Sequence, residues 1–152
     1  MKVVIIENNE KDMTRLLKLL VEHFVPEHNM GKLSAKNLNF NKGYAWLVHN
    51  IECGAWAVEN EDGEFIGSLG VHVTSPWYSD EKYLADGWFY VLPEHRNTGV
   101  GKALIDRAKE FAEDSNMPFI LGVFNSEGTE IKFDIMHRMG MKVVGGLFAA
   151  GV

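Results

Sequence analysis

Residues 91–105 read VLPEHRNTGVGKALI, and the way this stretch ends a strand and begins a helix decides the fold. An apolar strand stops at Pro93, and an amphipathic helix is predicted to begin near Gly99. Gly99 and Gly101 lie in the first turn of that helix, where four backbone N–H groups have no partner within the helix. The first acidic residue is Asp106, so no side chain of the first turn offsets the positive end of the helix dipole. The stretch therefore predicts a helix N-terminus open to an external anion such as a phosphate group.

The glycine spacing argues against two other phosphate-binding loops. A dinucleotide-binding loop requires a third glycine, and Leu104 stands at that position. A P-loop requires Gly-Lys-Ser or Gly-Lys-Thr, and neither tripeptide occurs in the chain. An ordinary junction between a strand and a helix stays open as an alternative, because the chain contains 15 glycines.

The composition is that of one soluble globular domain, which we expect to span residues 1–152. With 46% hydrophobic and 24% charged residues, the chain is neither a disordered tail nor a disulfide scaffold. No apolar run approaches the roughly 20 residues of a membrane-spanning helix, so we expect no membrane partner. The single cysteine, Cys53, favours a cytoplasmic location. The net charge of −6 argues against a nucleic-acid partner and favours amine-bearing partners.

Hydrophobic periodicity predicts the order strand, two helices, three strands, helix, strand, helix and two strands. A first helix capped by Asn8 or Asn9 is expected to end at Pro26, and a second helix is expected behind Ser34. The last predicted helix, with Ile131 on its inward face, ends at Gly140. This order predicts an α/β fold with one parallel crossover, from the strand near residue 90 to the strand near residue 121. The predicted strands cover residues 3–6 (buried), 54–58, 65–73, 87–92, 118–124, 141–144 and 147–150.

The segment Arg96-Asn97-Thr98-Gly99-Val100-Gly101 closely resembles motif A of the GNAT superfamily of N-acetyltransferases. That motif reads Arg or Gln, two residues, Gly, one residue, and Gly or Ala. A Val-x-Pro sequence precedes it here, as is customary, and the element order resembles the GNAT fold over nearly the whole chain. The resemblance implies a mixed, mostly antiparallel sheet of six to seven strands with about four flanking helices. It also implies that the parallel fourth and fifth strands splay apart.

The resemblance further implies that acetyl-CoA is the acyl donor. The six histidines have no metal-ligand spacing and no partner cysteines, so we expect no metal. The backbone amides from Asn97 to Lys102 would hold the pyrophosphate, and the edge of the fourth strand would pair with the pantetheine amides. Lys102 would help to neutralise phosphate, or alternatively is a solvated surface lysine. The implied acetyl-CoA contacts are Tyr90, Val91, Leu92, Arg96, Asn97, Thr98, Gly99, Val100, Gly101, Lys102 and Asn125.

The sequence departs from the family pattern at the positions of the residues that transfer protons. Met136 stands where many members have a tyrosine acid, and about Ala85 is where histone-acetylating members have a glutamate base. Asp86, the next residue, is the candidate catalytic base acting through water, with a solvated acid at a strand end as the alternative. The candidate proton donors to the leaving thiolate are Ser126, Asn125 and His137, with a helix cap, a turn residue and a surface residue as the respective alternatives.

Two functions are compatible with these residues. The first is an N-acyltransferase in which a primary amine attacks acetyl-CoA directly in a ternary complex. The oxyanion that forms would be held by a backbone amide at a bulge of the fourth strand, at Val91 or Leu92. The second is a degenerate acyl-CoA-binding module that acts as a sensor or a structural subunit. The loop containing Trp77 and Tyr78 would border a cationic acceptor amine, or alternatively form a homodimer contact or plain surface.

Overall fold

The computed structural model describes residues 1–27, 38–122, 129–146, 148 and 150. Its strands form one sheet in which every strand pairs with the next along the chain. The pairs are antiparallel except the last, which is parallel, so the predicted crossover is confirmed. The strands are β1 (Lys2–Ile5), β2 (Gly54–Glu59), β3 (Phe65–Thr74), β4 (Tyr83–Val91) and β5 (Phe119–Ile120).

The helices cover the two faces of this sheet. One layer consists of a continuous helical segment near the N-terminus together with α3, and α4 covers the other face. Among the described residues, no helix combines the length and the apolar character that crossing a membrane requires. The helices are α1 (Glu10–Leu19), a π-helical turn (Leu20–Phe24), α2 (Val25–Glu27), α3 (Phe40–Cys53), α4 (Val100–Asp114) and α5 (Thr129–Arg138).

The sheet has fewer strands than the six to seven that were predicted, since the described residues contain five. Residues 141–146 form no strand, and the side chains of Val143 and Val144 are exposed. The strand predicted over 147–150 lies partly outside the described residues, and residues 148 and 150 are not in a strand. The strand predicted over 118–124 is shorter, because only Phe119–Ile120 pairs, while residues 123 and 124 lie outside the described part.

β1 was predicted as a buried strand, and that prediction is wrong. Among the strands that the structure describes, β1 pairs with β2 alone, so it lies at the edge of that sheet. The side chain of Ile5 is 63% exposed, whereas Val4 packs against the core and Ile6, just beyond the strand, is buried. A run of β-branched residues therefore indicated a strand correctly, but it did not indicate how many neighbours the strand has.

The first helix begins where the sequence predicts and continues further. The side chain of Asn9 accepts a hydrogen bond from the backbone N–H of Asp12 at 2.8 Å, which caps α1. The helix does not end at Pro26, because a π-helical turn intervenes, in which the N–H of Val25 bonds to the carbonyl of Leu20. Pro26 then lies within the short α2, where a missing N–H costs little.

The second predicted helix begins later than expected. α3 starts at Phe40, and the side chain of Asn39 caps it by accepting from the N–H of Lys42 at 3.0 Å. Ser34, the predicted cap, lies outside the described residues. In the last helix Gly140 has the predicted left-handed conformation, with φ 79°, but Ile131 is exposed rather than facing inward.

Candidate active site

The turn after β4 positions the N-terminus of α4. A short 3₁₀ turn at Pro93–His95 leads to Asn97 and Gly99, whose φ angles are 63° and 92°. A positive φ favours glycine, so Gly99 is the residue that lets the chain enter the helix at this angle. α4 begins at Val100 with no acidic residue in its first turn and no side-chain cap.

The backbone amides of this turn are free to bind a ligand. Among the described residues, no side chain accepts a hydrogen bond from the N–H groups of residues 97–102. A Cβ atom on Gly101 would lie 3.5 Å from the ring of Phe89 and 3.7 Å from a methyl group of Val91. These are ordinary van der Waals contacts, so the packing of α4 against β4 does not require glycine at residue 101, and the first-turn amides together with the helix dipole make the anion site.

β4 and β5 pair over a short distance and then part. Leu84 pairs with Phe119 and Ala85 pairs with Ile120, but β4 continues to Val91. Beyond Ala85, the edge of β4 has no strand partner on the β5 side among the described residues. A free strand edge thus leads from the point of separation to the open N-terminus of α4, in agreement with the splay that the resemblance implies.

Asp86 lies at the point where the strands part. Its Oδ1 atom accepts a hydrogen bond from the backbone N–H of Gly122 at 2.7 Å. Burial raises the pKa of the Asp86 carboxyl above its ordinary value, although the hydrogen bond from Gly122 acts in the opposite direction. A half-buried carboxylate with a raised pKa is a suitable proton acceptor near neutral pH, and it also links β4 to the chain after β5.

The bulge of β4 lies elsewhere than expected. Trp88 pairs with Gly70 and Asp86 pairs with Val71, so Gly87 is the extra residue. The expectation of a bulge amide at Val91 or Leu92 is therefore wrong, because Val91 pairs regularly with β3 and the N–H of Leu92 donates to a β3 carbonyl at 2.9 Å.

A polar cluster beside Gly87 was not predicted from the sequence. The indole Nε1 of Trp46 donates to the carbonyl of Gly87 at 3.1 Å, and Asn50 Nδ2 donates to the carbonyl of Trp46 at 2.8 Å. A Cβ atom on Gly87 would lie 2.1 Å from Asn50 Oδ1, so only glycine fits beside this buried amide. His72 on β3 completes the cluster, at 3.0 Å from Asn50 Oδ1. The sequence offers no signal for the cluster, because α3, β3 and β4 each contribute part of it.

An apolar cleft of about 150 Å³ adjoins this cluster. It lies between the N-terminal helical segment and α3, and it reaches β4 at Gly87 and Trp88. Leu17, Leu20, Phe40, Tyr44 and Leu47 are among the side chains that form its walls.

The side chain of Arg96, the first residue of the predicted motif, is held by protein groups. It forms an ion pair with Glu27 at 2.7 Å, and its Nε donates to the carbonyl of Val91 at 2.9 Å. Tyr90 donates its hydroxyl to the same Glu27 carboxylate at 2.5 Å. Burial, and then this hydrogen bond, raise the pKa of Tyr90. Burial would raise the pKa of Glu27 too, but the hydrogen bonds from Tyr90 and Arg96 outweigh it and lower that pKa.

The remaining predicted residues are distributed as follows. Lys102 is exposed at the start of α4 and pairs with Asp106, one turn further along the helix. Asn125 and Ser126 lie outside the described residues. Met136 is on α5, the helix on which the resemblance places it. Within the described part of the chain, no three His, Cys, Asp or Glu side chains converge in a way that could hold a metal ion.

The chain matches a known protein family. The sequence profile of the acetyltransferase (GNAT) family matches residues 13–133, so the chain belongs to that family. No curated protein matches the chain.

Solved structures share the fold at low sequence identity. AAC(6')-Iy in complex with the bisubstrate analogue CoA-S-monomethyl-acetylneamine is 13% identical with a TM-score of 0.71, covering 99% of this chain and 97% of its own. An acetyltransferase from Trypanosoma brucei is 17% identical with a TM-score of 0.68, covering 99% of both chains. Glucosamine-6-phosphate N-acetyltransferase from Arabidopsis thaliana is 13% identical with a TM-score of 0.66, covering 98% and 96%.

Proposed function

We propose that this protein transfers the acetyl group of acetyl-CoA to a primary amine by direct attack in a ternary complex. The observation that carries the proposal is the free edge of β4, which leads to a helix N-terminus with unpaired amides. A thioester carrier with an anionic end needs both features, since its amides can pair with a strand edge and its phosphates with a helix N-terminus. A structural relative bound to a CoA bisubstrate analogue supports this assignment.

The N–H groups of residues 97–102 would bind the pyrophosphate, and Lys102 would add a positive charge nearby. Because Leu92 donates its N–H to β3, the alternation of an antiparallel ladder turns the N–H of Val91 toward the free edge. Val91 is thus better placed than Leu92 to pair with the pantetheine arm. Tyr90 and Arg96 both donate hydrogen bonds to the Glu27 carboxylate, which holds this end of β4 in place. Asn125 remains a proposed contact of acetyl-CoA.

The chemistry requires one bond to form and one to break. The neutral amine nitrogen attacks the thioester carbonyl carbon, the C–N bond forms, and the C–S bond breaks. The amine loses a proton, and the departing sulfur takes one up. We assign the first transfer to Asp86 through water, because it lies where the strands part and its pKa is raised. Ser126 is the proposed donor to the thiolate.

The second candidate is the acyl-CoA-binding module without turnover. It is favoured by Met136, which cannot donate a proton, and by Ala85, which cannot accept one. Both candidates share the carrier site, so only turnover separates them. A cytoplasmic location, the absence of a nucleic-acid partner and a homodimer through the Trp77 loop remain proposals from the sequence.

Calorimetric titration with acetyl-CoA, followed by a free-thiol assay with a panel of primary amines, tests the proposal. We expect saturable binding and a release of CoA that depends on the amine. Binding without amine-dependent thiol release would favour the module. No binding of acetyl-CoA would overturn both candidates.

A further inference from the structure

The walls of the cleft beside α3 are apolar, and part of them faces solvent. Phe40 is 52% exposed and stacks on Tyr44 with ring centroids 6.0 Å apart, and Trp46 is 42% exposed. All three line the cleft. An exposed group of aromatic side chains on a helix that otherwise packs against the core is typical of a binding surface.

The cleft has no charged side chain among its described lining residues that could bind a polycation. A polyamine or an amino sugar would therefore find no carboxylate there. Its volume of about 150 Å³ equals that of an engineered protein cavity that binds benzene. Size and chemistry together fit one aromatic ring.

The cleft also leads to the proposed chemistry. Gly87, the bulged residue of β4, lines it, and Trp46 forms a wall while its indole N–H bonds to the Gly87 carbonyl. Asp86 pairs with Val71, which packs against α4, so its side chain lies on the opposite face of the sheet from the cleft. Gly87 lies beyond Ala85, where the pairing of β4 with β5 ends, so a molecule whose ring fills the cleft can extend a short chain past Gly87 to the place where the two strands part.

A glycine keeps the cleft open. Gly43 lies on the same face of α3 as Phe40, Tyr44 and Leu47, because residues three and four positions apart share a helix face. A Cβ atom on Gly43 would have no atom within 4 Å, so any side chain there would extend into free space at the cleft.

We infer that this cleft receives the body of the acceptor, and that the acceptor is a primary amine carried on an aryl group through a short alkyl chain. The inference rests on the proposed acetyltransferase function and names its substrate class. The amide forms at the amine nitrogen as described above, and the aryl group takes no part in bond making.

The test compares 2-phenylethylamine with spermidine and kanamycin as acetyl acceptors. We expect kcat/KM for 2-phenylethylamine to be the highest of the three. Gly43→Phe should lower it about 10- to 200-fold, the range by which a hydrophobic pocket discriminates against extra bulk. Ala45→Phe introduces the same ring on the same helix at a residue outside the cleft, and it should leave the rate unchanged. Thermal unfolding of both variants checks that they fold.

A binding experiment makes the inference testable apart from turnover. The amide signals of Gly43 and Gly87 and the indole signal of Trp46 are followed by NMR as 2-phenylethylamine is added. Shifts in the wild type and in Ala45→Phe, but not in Gly43→Phe, would support the cleft even if no amine were acetylated. A preference for spermidine or kanamycin in the wild type, or an absence of shifts, would overturn it and leave the acetyltransferase assignment standing. If Gly43→Phe does not fold, the wild-type comparison alone decides.

Discussion

The Nδ1 atom of His72 lies 3.0 Å from Oδ1 of Asn50, a side chain that is fully buried. The Nδ2 group of Asn50 donates to the carbonyl of Trp46 at 2.8 Å, so its Oδ1 must be the atom that faces His72. His72 therefore carries its proton on Nδ1, and when the ring is neutral its Nε2 is left as an acceptor. The contact fixes the tautomer of a histidine that packs edge-on against Trp46, with ring centroids 4.8 Å apart.

We expect His72 to be neutral at pH 7, because burial and the charge of His49 both lower its pKa from 6.5. A lowered histidine pKa contributes stability that is present above pH 6.5 and is lost as the pH falls through the pKa of the folded state. An NMR titration measures this pKa directly, and His49→Gln should move it upward. A His72 pKa at or above 6.5 would contradict the assignment.

Asp86→Asn should separate activity from stability. The turnover rate should fall about 10²- to 10⁴-fold, because the general base is lost. The free energy of unfolding at pH 7 should hold or rise, since Asn still accepts from Gly122 and no buried charge remains. Asp86→Ala leaves the Gly122 N–H unsatisfied and should cost about 1–3 kcal/mol. An unchanged rate in Asp86→Asn would remove Asp86 from the mechanism.

Lys102→Glu tests the anion site at the N-terminus of α4. Reversing this charge should weaken acetyl-CoA binding by about 1 kcal/mol or more, roughly fivefold, as judged by calorimetric titration. Lys11→Glu makes the same change in net charge at an exposed residue of α1 and should leave affinity unchanged. Equal losses in the two variants would mean that net charge, and not the site, sets the affinity.

Glu27→Gln should destabilise the protein at neutral pH and not in acid. The lowered pKa of Glu27 means that its contribution is present above pH 4.5 and is lost as the pH falls through the folded-state pKa. Because Arg96 and Glu27 are partly exposed, we expect a difference of about 1 kcal/mol or less. Thermal unfolding of both proteins from pH 7 to pH 3 should show the difference in stability between them decreasing toward zero. A difference that stays constant with pH would indicate a packing effect instead.

Gly43→Ala should raise the free energy of unfolding by about 0.5–1 kcal/mol, measured by chemical denaturation. Gly43 is in the first turn of α3 and the added methyl group meets no atom, so the gain comes from reduced freedom of the unfolded chain. A loss of stability would mean that the start of α3 is not regular at this residue.

The sequence by itself determined the features that depend on neighbouring residues. Pro93 ends β4 because proline interrupts strand pairing, and Gly99 permits the positive φ with which the chain enters α4. The lack of an acidic residue in the first turn of α4 follows directly from the sequence, and so does the cap that Asn9 provides for α1. These local features are sufficient to indicate the family without knowledge of any tertiary contact.

Only the tertiary structure decided the features that depend on register and on distant partners. Glu27 and Arg96 are 69 residues apart in sequence, and Asp86 and Gly122 are 36 apart. The bulge at Gly87 has no local signature, since it arises where the buried Asn50 of α3 leaves no room for a side chain on β4. Strand periodicity specifies which residues share a face, but packing between layers decides where that alternation shifts by one residue.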